Sequence, residues 1–160
     1  PRDFVLDGLN DSKKLTEKKR ESYYPIIMEN ALAVGVSIVT PQEIDEINIY
    51  EASRQGMLRA IDNMKIKPNY IITDAMPIED FTNIPSMPII KGDAKSISIA
   101  AASVIAKVTR DRLMVEYDSV FPGYDFAGNK GYGSASHIAA LKDLGPTPIH
   151  RRSFIKNFVE

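Results

Sequence analysis

Two short apolar runs that each lead into an aspartate constrain the fold of this 160-residue chain more than any other feature. Residues 70–73 precede Asp74, and residues 88–91 precede a glycine and Asp93. Short runs rich in Ile and Tyr between loop signals are typical of β-strands. Because segments with helical periodicity lie before the first run and after the second, the pattern indicates an α/β domain.

Capping residues predict where several helices begin. Thr16 is expected to cap a helix that runs to about Asn30, and Thr40, followed by Pro41 and Glu43, has the features of a second helix start. Further helices are predicted over residues 49–64, from about residue 96, over residues 134–144 and around Phe154.

One further strand and one close helix contact are expected between these elements. Residues 31–39 are dominated by Val, Ile and Ala, which suits a strand buried on both faces. In the helix over residues 49–64, Ala52, Gly56 and Ala60 recur every four residues. One face of this helix is therefore expected to approach a neighbour closely.

Composition narrows the class of protein. The length suits a single domain over residues 1–160, and 44% hydrophobic with 26% charged residues is typical of a globular protein. No apolar run is long enough to span a bilayer, and no segment resembles a secretory signal. The absence of cysteine excludes disulfides and thiolate metal sites. We therefore expect a cytoplasmic, monomeric protein with no membrane partner.

The charge distribution argues against binding of nucleic acid by bulk attraction. The net charge is −1, whereas such binders carry a strong positive excess. Any nucleic-acid contact must therefore be local. Basic residues do cluster, at positions 13 and 14, 18 to 20, 110 and 112, and 150 to 152, and such clusters are usually solvated surface.

The carboxylates of Asp74 and Asp93 are candidate metal ligands. If both strands lie in one sheet, these side chains project from the same edge, and Mg²⁺ and Mn²⁺ prefer oxygen ligands of this type. With no cysteine and only two histidines, a zinc site is not expected. The alternative is local, with Asp74 capping the following turn and Asp93 capping the helix that begins near Lys95. Spacing alone leaves both interpretations open.

A glycine-rich segment, residues 129–133, presents a cation and an aromatic ring together. Lys130 would hold a phosphate there, and Tyr132 would stack on a sugar or base. The alternative is a glycine-rich turn with Tyr132 packed against the core. Lys14 lies in a Ser-Lys-Lys sequence that suits either a phosphate contact or a solvated turn. The residues by themselves do not decide between these alternatives.

Several segments, in order along nearly the whole chain, resemble the ribonuclease HII family. The longest, residues 100–112, is far more specific than a short motif. The other matching segments are Asp11-Ser12-Lys13-Lys14-Leu15, Asp74-Ala75, Lys91-Gly92-Asp93-Ala94-Lys95-Ser96, Asn129-Lys130-Gly131-Tyr132-Gly133 and His150-Arg151-Arg152-Ser153-Phe154. The resemblance implies an RNase H-like α/β fold, with a mixed sheet flanked by helices and a C-terminal helical extension.

The resemblance also implies an activity. It implies hydrolysis of the RNA strand of RNA·DNA hybrids 5′ to ribonucleotides, including single ones embedded in a DNA duplex, with Mg²⁺ or Mn²⁺ as cofactor. Asp74 and Asp93 match two of the family's four metal-binding carboxylates. Tyr132 matches the tyrosine that contacts the nucleotide at the RNA-to-DNA junction. Lys14 and Lys95, like Lys130, lie in matching segments near the substrate.

The chain departs from the family pattern in one respect. The family's other two carboxylates lie in an Asp-Glu-x-Gly-Arg-Gly segment that also recognises the ribose 2′-hydroxyl, and no such segment occurs in this sequence. We therefore expect an N-terminally incomplete catalytic domain in which catalysis is absent or very weak. Two other classes are a catalytically inactive module that binds hybrids, and an α/β scaffold that binds a protein partner and has no affinity for duplexes.

Overall fold

The two predicted strands form one parallel pair in the computed structural model, which describes residues 1–159. Strand β1 (Ile71–Asp74) pairs in register with β2 (Ser86–Ile89). Both strands therefore end at the same edge of the sheet. Strand β2 lies two residues earlier than the sequence indicated, because the chain turns at Lys91, whose φ of 54° is left-handed rather than extended.

Eight α-helices are formed within the described residues. They are α1 (Glu17–Asn30), α2 (Pro41–Ile47), α3 (Ile49–Asp62), α4 (Gly92–Lys95), α5 (Ile97–Val120), α6 (Phe126–Asn129), α7 (Ala135–Leu144) and α8 (Arg152–Ile155). The predicted caps are confirmed, since Thr16 accepts a hydrogen bond from the Lys19 N–H, and Thr40 forms a reciprocal capping box with Glu43. In residues 1–159, no helix is both long and apolar enough to cross a bilayer. Helices combined with a small parallel sheet confirm the α/β class.

The predicted strand over residues 31–39 is wrong. A strand needs backbone partners on a neighbouring strand, and within residues 1–159 this segment pairs with none. Side chains bridge it to a helical region instead. The Asn63 side chain donates to the Val36 carbonyl at 2.7 Å, and the Ser37 hydroxyl donates to the Gly56 carbonyl at 2.6 Å.

The close helix contact predicted for Gly56 and Ala60 is confirmed, and its neighbour is this segment. Gly35 lies so near that an added Cβ would be 2.0 Å from the Ala60 carbonyl oxygen. No side chain fits in that space. The apolar composition of the segment therefore reflects packing against a helix rather than burial within a sheet.

The described residues form two compact units, each with its own apolar core. The first comprises Pro1–Ile38 and Arg54–Val108. Its buried residues form two clusters, one between α1 and α5 and one beside β1: Tyr23, Ile27, Val104, Ile105 and Val108 in the first cluster, and Ile71, Met76 and Ile78 in the second. Helix α5 therefore buries Val104, Ile105 and Val108, whereas Ile97 at its start is exposed.

The second unit comprises Val39–Ser53 and the chain from Thr109 onward. Its core is formed by Met114, Tyr124, Phe126, Leu141 and Ile155. Asp45 on α2 caps α8, because its carboxylate accepts hydrogen bonds from the backbone N–H groups of Arg152 (2.6 Å) and Ser153 (3.0 Å) and from the Ser153 hydroxyl. The Ser153 hydroxyl is the largest cause of the lowered pKa of Asp45. The predicted C-terminal helix is thus tied to this unit.

Candidate functional site

The structure brings Asp74 and Asp93 together at the end of the parallel sheet. Asp74 is the last residue of β1, and Asp93 lies in the first turn of α4, just beyond β2. The Asp74 Oδ1 atom accepts a hydrogen bond from the Gly92 N–H at 2.9 Å. A Cβ added to Gly92 would lie 2.6 Å from Ile99 Cδ1 and 3.3 Å from the Thr73 carbonyl oxygen in β1. Glycine at this position therefore permits the close approach of α4 to the end of β1.

The carboxylates of Asp74 and Asp11 both repel that of Asp93 electrostatically. Burial raises the pKa of the half-buried Asp93 carboxyl, and the charges of Asp74 and Asp11 raise it further. A hydrogen bond with the Asp11 side chain acts in the same direction, whereas one from the Ala94 N–H opposes it. Nearby like charges disfavour the ionised form, and a bound cation would reverse this effect. Sequence reasoning missed Asp11 as a member of this site.

The donor set at this edge suits a hard cation. Within residues 1–159, no group of three or more His, Cys, Asp or Glu side chains is arranged to hold a metal ion. Asp74 and Asp93 provide carboxylate oxygens at this edge, and donors of this type suit Mg²⁺ or Mn²⁺ rather than zinc. The local alternative is also partly present, since Asp74 bonds to the Gly92 N–H. Asp74 can accept this hydrogen bond and bind a cation at the same time, because a carboxylate has about four lone-pair positions.

Lys14 belongs to a turn that is held from within the first unit. A 3₁₀ turn (Ser12–Lys14) is capped by the Asp11 side chain. Ser12 is buried, and its hydroxyl accepts a hydrogen bond from the Ser103 hydroxyl on α5 at 2.7 Å. Lys14 itself is exposed. The turn therefore presents an exposed ammonium group from an anchored backbone.

Helix α4 carries Lys95, which is also exposed and lies two residues after Asp93. The charge of Asp11, which caps the 3₁₀ turn, acts on Asp93, so the 3₁₀ turn lies close to α4. The two elements that carry Lys14 and Lys95 thus meet at the carboxylates.

In the second unit, Tyr132 is exposed rather than packed in the core. Its relative exposure is 56%, which excludes the core-packing alternative for this ring. The Arg110 guanidinium lies over the ring, with Cζ 5.1 Å from the ring centroid. This cation–π contact restrains the ring while leaving it accessible. Sequence reasoning counted Arg110 only as part of a basic cluster, because nothing local indicates its pairing with Tyr132.

The loop before Tyr132 is tied down by its own polar groups. The Asn129 side chain accepts a hydrogen bond from the Gly131 N–H at 2.8 Å and donates one to the Tyr124 carbonyl at 2.6 Å. Arg110 donates to the Lys130 carbonyl at 2.7 Å, and the Lys130 ammonium donates to the Ala127 carbonyl. The segment is therefore an ordered loop whose lysine is bonded to its own backbone.

Comparisons with known proteins identify the family. The family model for ribonuclease HII matches residues 3–157. The ribonuclease HII of Lachnoclostridium phytofermentans is 60% identical over 157 residues, and that of Enterococcus faecalis is 54% identical over 154 residues. These matches cover 98% and 96% of this chain, and 61% and 60% of the two relatives. The chain thus spans less than two thirds of the length of these curated relatives.

Solved structures have the same fold. The ribonuclease H2 of Pyrococcus horikoshii is similar with a TM-score of 0.72 and 28% identity, over 91% of this chain and 76% of that one. The ribonuclease HII in a complex with PCNA from Archaeoglobus fulgidus has a TM-score of 0.67 and 24% identity, over 96% of this chain and 81% of that one. The RNase H-like α/β fold inferred from the sequence is confirmed. The chain belongs to the ribonuclease HII family.

Proposed function

We propose that the protein is an endonuclease that hydrolyses the RNA strand of RNA·DNA hybrids, cutting 5′ to ribonucleotides, including single ones embedded in DNA. The observation that carries this proposal is the pair of carboxylates, Asp74 and Asp93, at the strand ends of a ribonuclease HII family chain. Sites in α/β folds form where strands end and loops begin. In the reaction, water attacks phosphorus and the bond from phosphorus to the 3′ oxygen breaks. The products carry a 3′-hydroxyl and a 5′-phosphate.

The proposed cofactor is Mg²⁺ or Mn²⁺, held by Asp74 and Asp93. When bound, the cation supplies Lewis-acid stabilisation of the charge on the phosphate and favours ionisation of water. The protein's part is to orient the carboxylates. The Gly92 N–H fixes one oxygen of Asp74, and Asp11 and the Ala94 N–H contact Asp93.

The substrate is proposed to be an RNA·DNA hybrid or a DNA duplex that contains ribonucleotides. Lys14 and Lys95, on the elements that meet at the carboxylates, would contact phosphates, which position a duplex without specifying its sequence. Tyr132 would contact the nucleotide at the junction through its exposed ring, and Lys130 would contribute from the same loop.

Cutting of a labelled DNA duplex with one embedded ribonucleotide tests the activity. With Mg²⁺ or Mn²⁺ present, and with the family's Asp-Glu-x-Gly-Arg-Gly segment joined to the N-terminus of this chain, we expect cleavage 5′ to the ribonucleotide. Asp93→Asn should reduce this cleavage at least about a hundredfold, because loss of a ligand weakens the metal site. Asp80→Asn is the matched control, since Asp80 is an exposed aspartate on a 3₁₀ turn. Equal cleavage by both variants would exclude Asp93 from the reaction.

Thermal unfolding tests the metal site without reference to activity. A ligand that binds the folded state raises the unfolding midpoint. Mg²⁺ or Mn²⁺ should therefore raise the midpoint of the wild type and of Asp80→Asn, but not that of Asp93→Asn. The same rise in all three proteins would place the cation elsewhere.

A second candidate function is binding of hybrids without catalysis. The exposed Tyr132 ring under Arg110 favours it, because this surface can engage a nucleotide without the carboxylates. Binding would then be salt-sensitive and independent of divalent metal, with no cleavage, and Asp93→Asn would leave it unchanged. A cytoplasmic location and a monomeric state stay predictions.

A further inference from the structure

Two buried histidines of the second unit face each other. His137 on α7 and His150 have relative exposures of 6% and 7%, and their Nε2 atoms are 3.0 Å apart. Aromatic rings surround them, with the Phe126 centroid 5.5 Å from that of His137 and the Tyr124 centroid 5.5 Å from that of His150. A buried polar pair of this kind is stable only if every ring nitrogen has a suitable partner.

The hydrogen bonds determine where each proton lies. The Thr147 backbone N–H, which can only donate, lies 2.9 Å from His150 Nδ1, so this nitrogen is an acceptor. Neutral His150 must then carry its proton on Nε2 and donate it to His137 Nε2. Neutral His137 therefore carries its proton on Nδ1 and donates it to the Tyr132 carbonyl, 2.8 Å away. Burial, followed by the neighbouring His137, lowers the pKa of His150 to about 4, which keeps this histidine neutral at neutral pH.

We propose that His137 is a positioning residue for Tyr132: its Nδ1–H holds the Tyr132 carbonyl, and His150, oriented by Thr147, selects the tautomer that makes this bond possible. The consequence for nucleic-acid binding rests on the proposed function, in which the exposed Tyr132 ring contacts the substrate. The positioning itself rests only on the chain of hydrogen bonds that runs from Thr147 through His150 and His137 to the Tyr132 carbonyl.

The hydrogen bond from His137 to the Tyr132 carbonyl is called the tether below. The backbone around Tyr132 explains why it is needed. Gly131, with a φ of 81°, and Gly133 flank the tyrosine, and a Cβ added to Gly133 would meet no atom within 4 Å. Two flanking glycines give the chain many alternative conformations. The Tyr132 carbonyl accepts from the Ser134 N–H at 2.8 Å and from His137, so the histidine fixes the turn from the buried side.

Two substitutions of His137 separate the tether from core packing. Asparagine carries its amide nitrogen at the δ position and can still donate to the Tyr132 carbonyl, whereas glutamine carries its amide at the ε position and can only replace the contact with His150. Both introduce an amide of similar polarity. A purely structural histidine predicts the same behaviour for His137→Asn and His137→Gln.

The ligand-free test uses nuclear magnetic resonance. In the wild type, ¹⁵N spectra should show His137 protonated on Nδ1 and His150 on Nε2. Hydrogen exchange of the Ser134 amide should be faster in His137→Gln than in His137→Asn, by about tenfold, which corresponds to one lost hydrogen bond. The opposite tautomer in the wild type, or equal exchange in the two variants, would overturn the inference. The tautomer is measured on the wild type, so it decides the question even if a variant does not fold.

Binding of the duplex with one embedded ribonucleotide, measured by anisotropy, gives the functional readout. We expect about tenfold weaker binding for His137→Gln and nearly unchanged binding for His137→Asn, with Tyr132→Ala as reference. If Tyr132→Ala binds as the wild type does, the proposed role of Tyr132 fails, whereas the tautomer and exchange data still decide the tether. Weak binding by Tyr132→Ala, combined with equal binding by the two histidine variants, would overturn the tether alone.

Discussion

Several buried polar residues in this protein have partners in other elements of the fold. Ser12 bonds to Ser103, and His137 bonds to both Tyr132 and His150. An unpaired buried polar group costs roughly 1–3 kcal/mol, so each such pair specifies the local packing more strictly than an apolar contact would. The pH dependence of the protein's stability therefore originates from individual buried residues.

We predict that His150 makes the protein less stable on acidification between about pH 6.5 and pH 4. The pKa of His150 falls from 6.5 to about 4 on folding, so in this window the unfolded chain binds a proton that the folded chain does not. The free energy of unfolding should fall by up to about 1.4 kcal/mol per pH unit as the pH is lowered. Above pH 6.5, His150 is neutral in both states and its contribution is constant.

Urea unfolding at a series of pH values, with His150→Gln as the comparison, measures this effect. The groups that face His150 are His137, Tyr124 and the charge of Arg152, and all remain in the variant. Asp45, whose pKa is lowered, loses its stabilising contribution only below its ordinary value of 3.8, outside the window. The variant should show the shallower pH dependence. Identical slopes for the two proteins would mean that His150 is protonated in the folded state.

At the scale of elements, close approach of backbone to backbone decides which segments become strands. Residues 31–39 pack on the helical residues Gly56 and Ala60, whereas the short runs that form β1 and β2 pair with each other. Helix ends, by contrast, are determined within a few residues, as Thr40 and Glu43 show.

We predict that Gly35→Ala destabilises the protein by about 2 kcal/mol or more. The added Cβ would lie 2.0 Å from the Ala60 carbonyl oxygen, a backbone atom that cannot move aside without shifting the helix. Gly133→Ala is the matched control, because its Cβ would meet no atom within 4 Å and its stability should change by less than about 0.5 kcal/mol. Chemical denaturation of both variants provides the comparison. A neutral Gly35→Ala variant would show that the segment does not pack closely on the helix.

At the scale of the whole molecule, the charges allow local but not general attraction to nucleic acid. The net charge is −1, and the cations proposed to meet phosphates are few: Lys14, Lys95 and Lys130. Affinity from counterion release depends on the number of phosphates neutralised rather than on net charge. The binding constant of this protein for nucleic acid should therefore depend on salt concentration less steeply than that of a strongly basic nucleic-acid-binding protein.

We predict a slope of roughly −2 to −4 for the logarithm of the binding constant against the logarithm of salt concentration, since each phosphate contact contributes about −0.9. Lys14→Ala should reduce the magnitude of the slope by about 1. Lys142→Ala, an exposed lysine in the last turn of α7, should leave it unchanged. Anisotropy titrations of an RNA·DNA hybrid at several salt concentrations measure both. Equal slopes for the wild type and Lys14→Ala would remove Lys14 from the interface.

Local signals in the sequence determined the helix starts, the strand β1, the α/β class and the family. A cap such as Thr16 or Thr40 acts on backbone groups within one turn, so its outcome is independent of distant residues. The family resemblance supplied the roles expected for Asp74, Asp93 and Tyr132, which local spacing had left open.

Only the tertiary structure decided which distant groups meet. It placed Asp11 beside Asp93, Arg110 over Tyr132 and His137 against His150, and it turned a predicted strand into a segment packed on a helix. Each of these outcomes depends on a partner many residues away, or on the space available for a side chain. Neither the distant partner nor the available space is encoded in composition or periodicity, because both arise only when the elements pack.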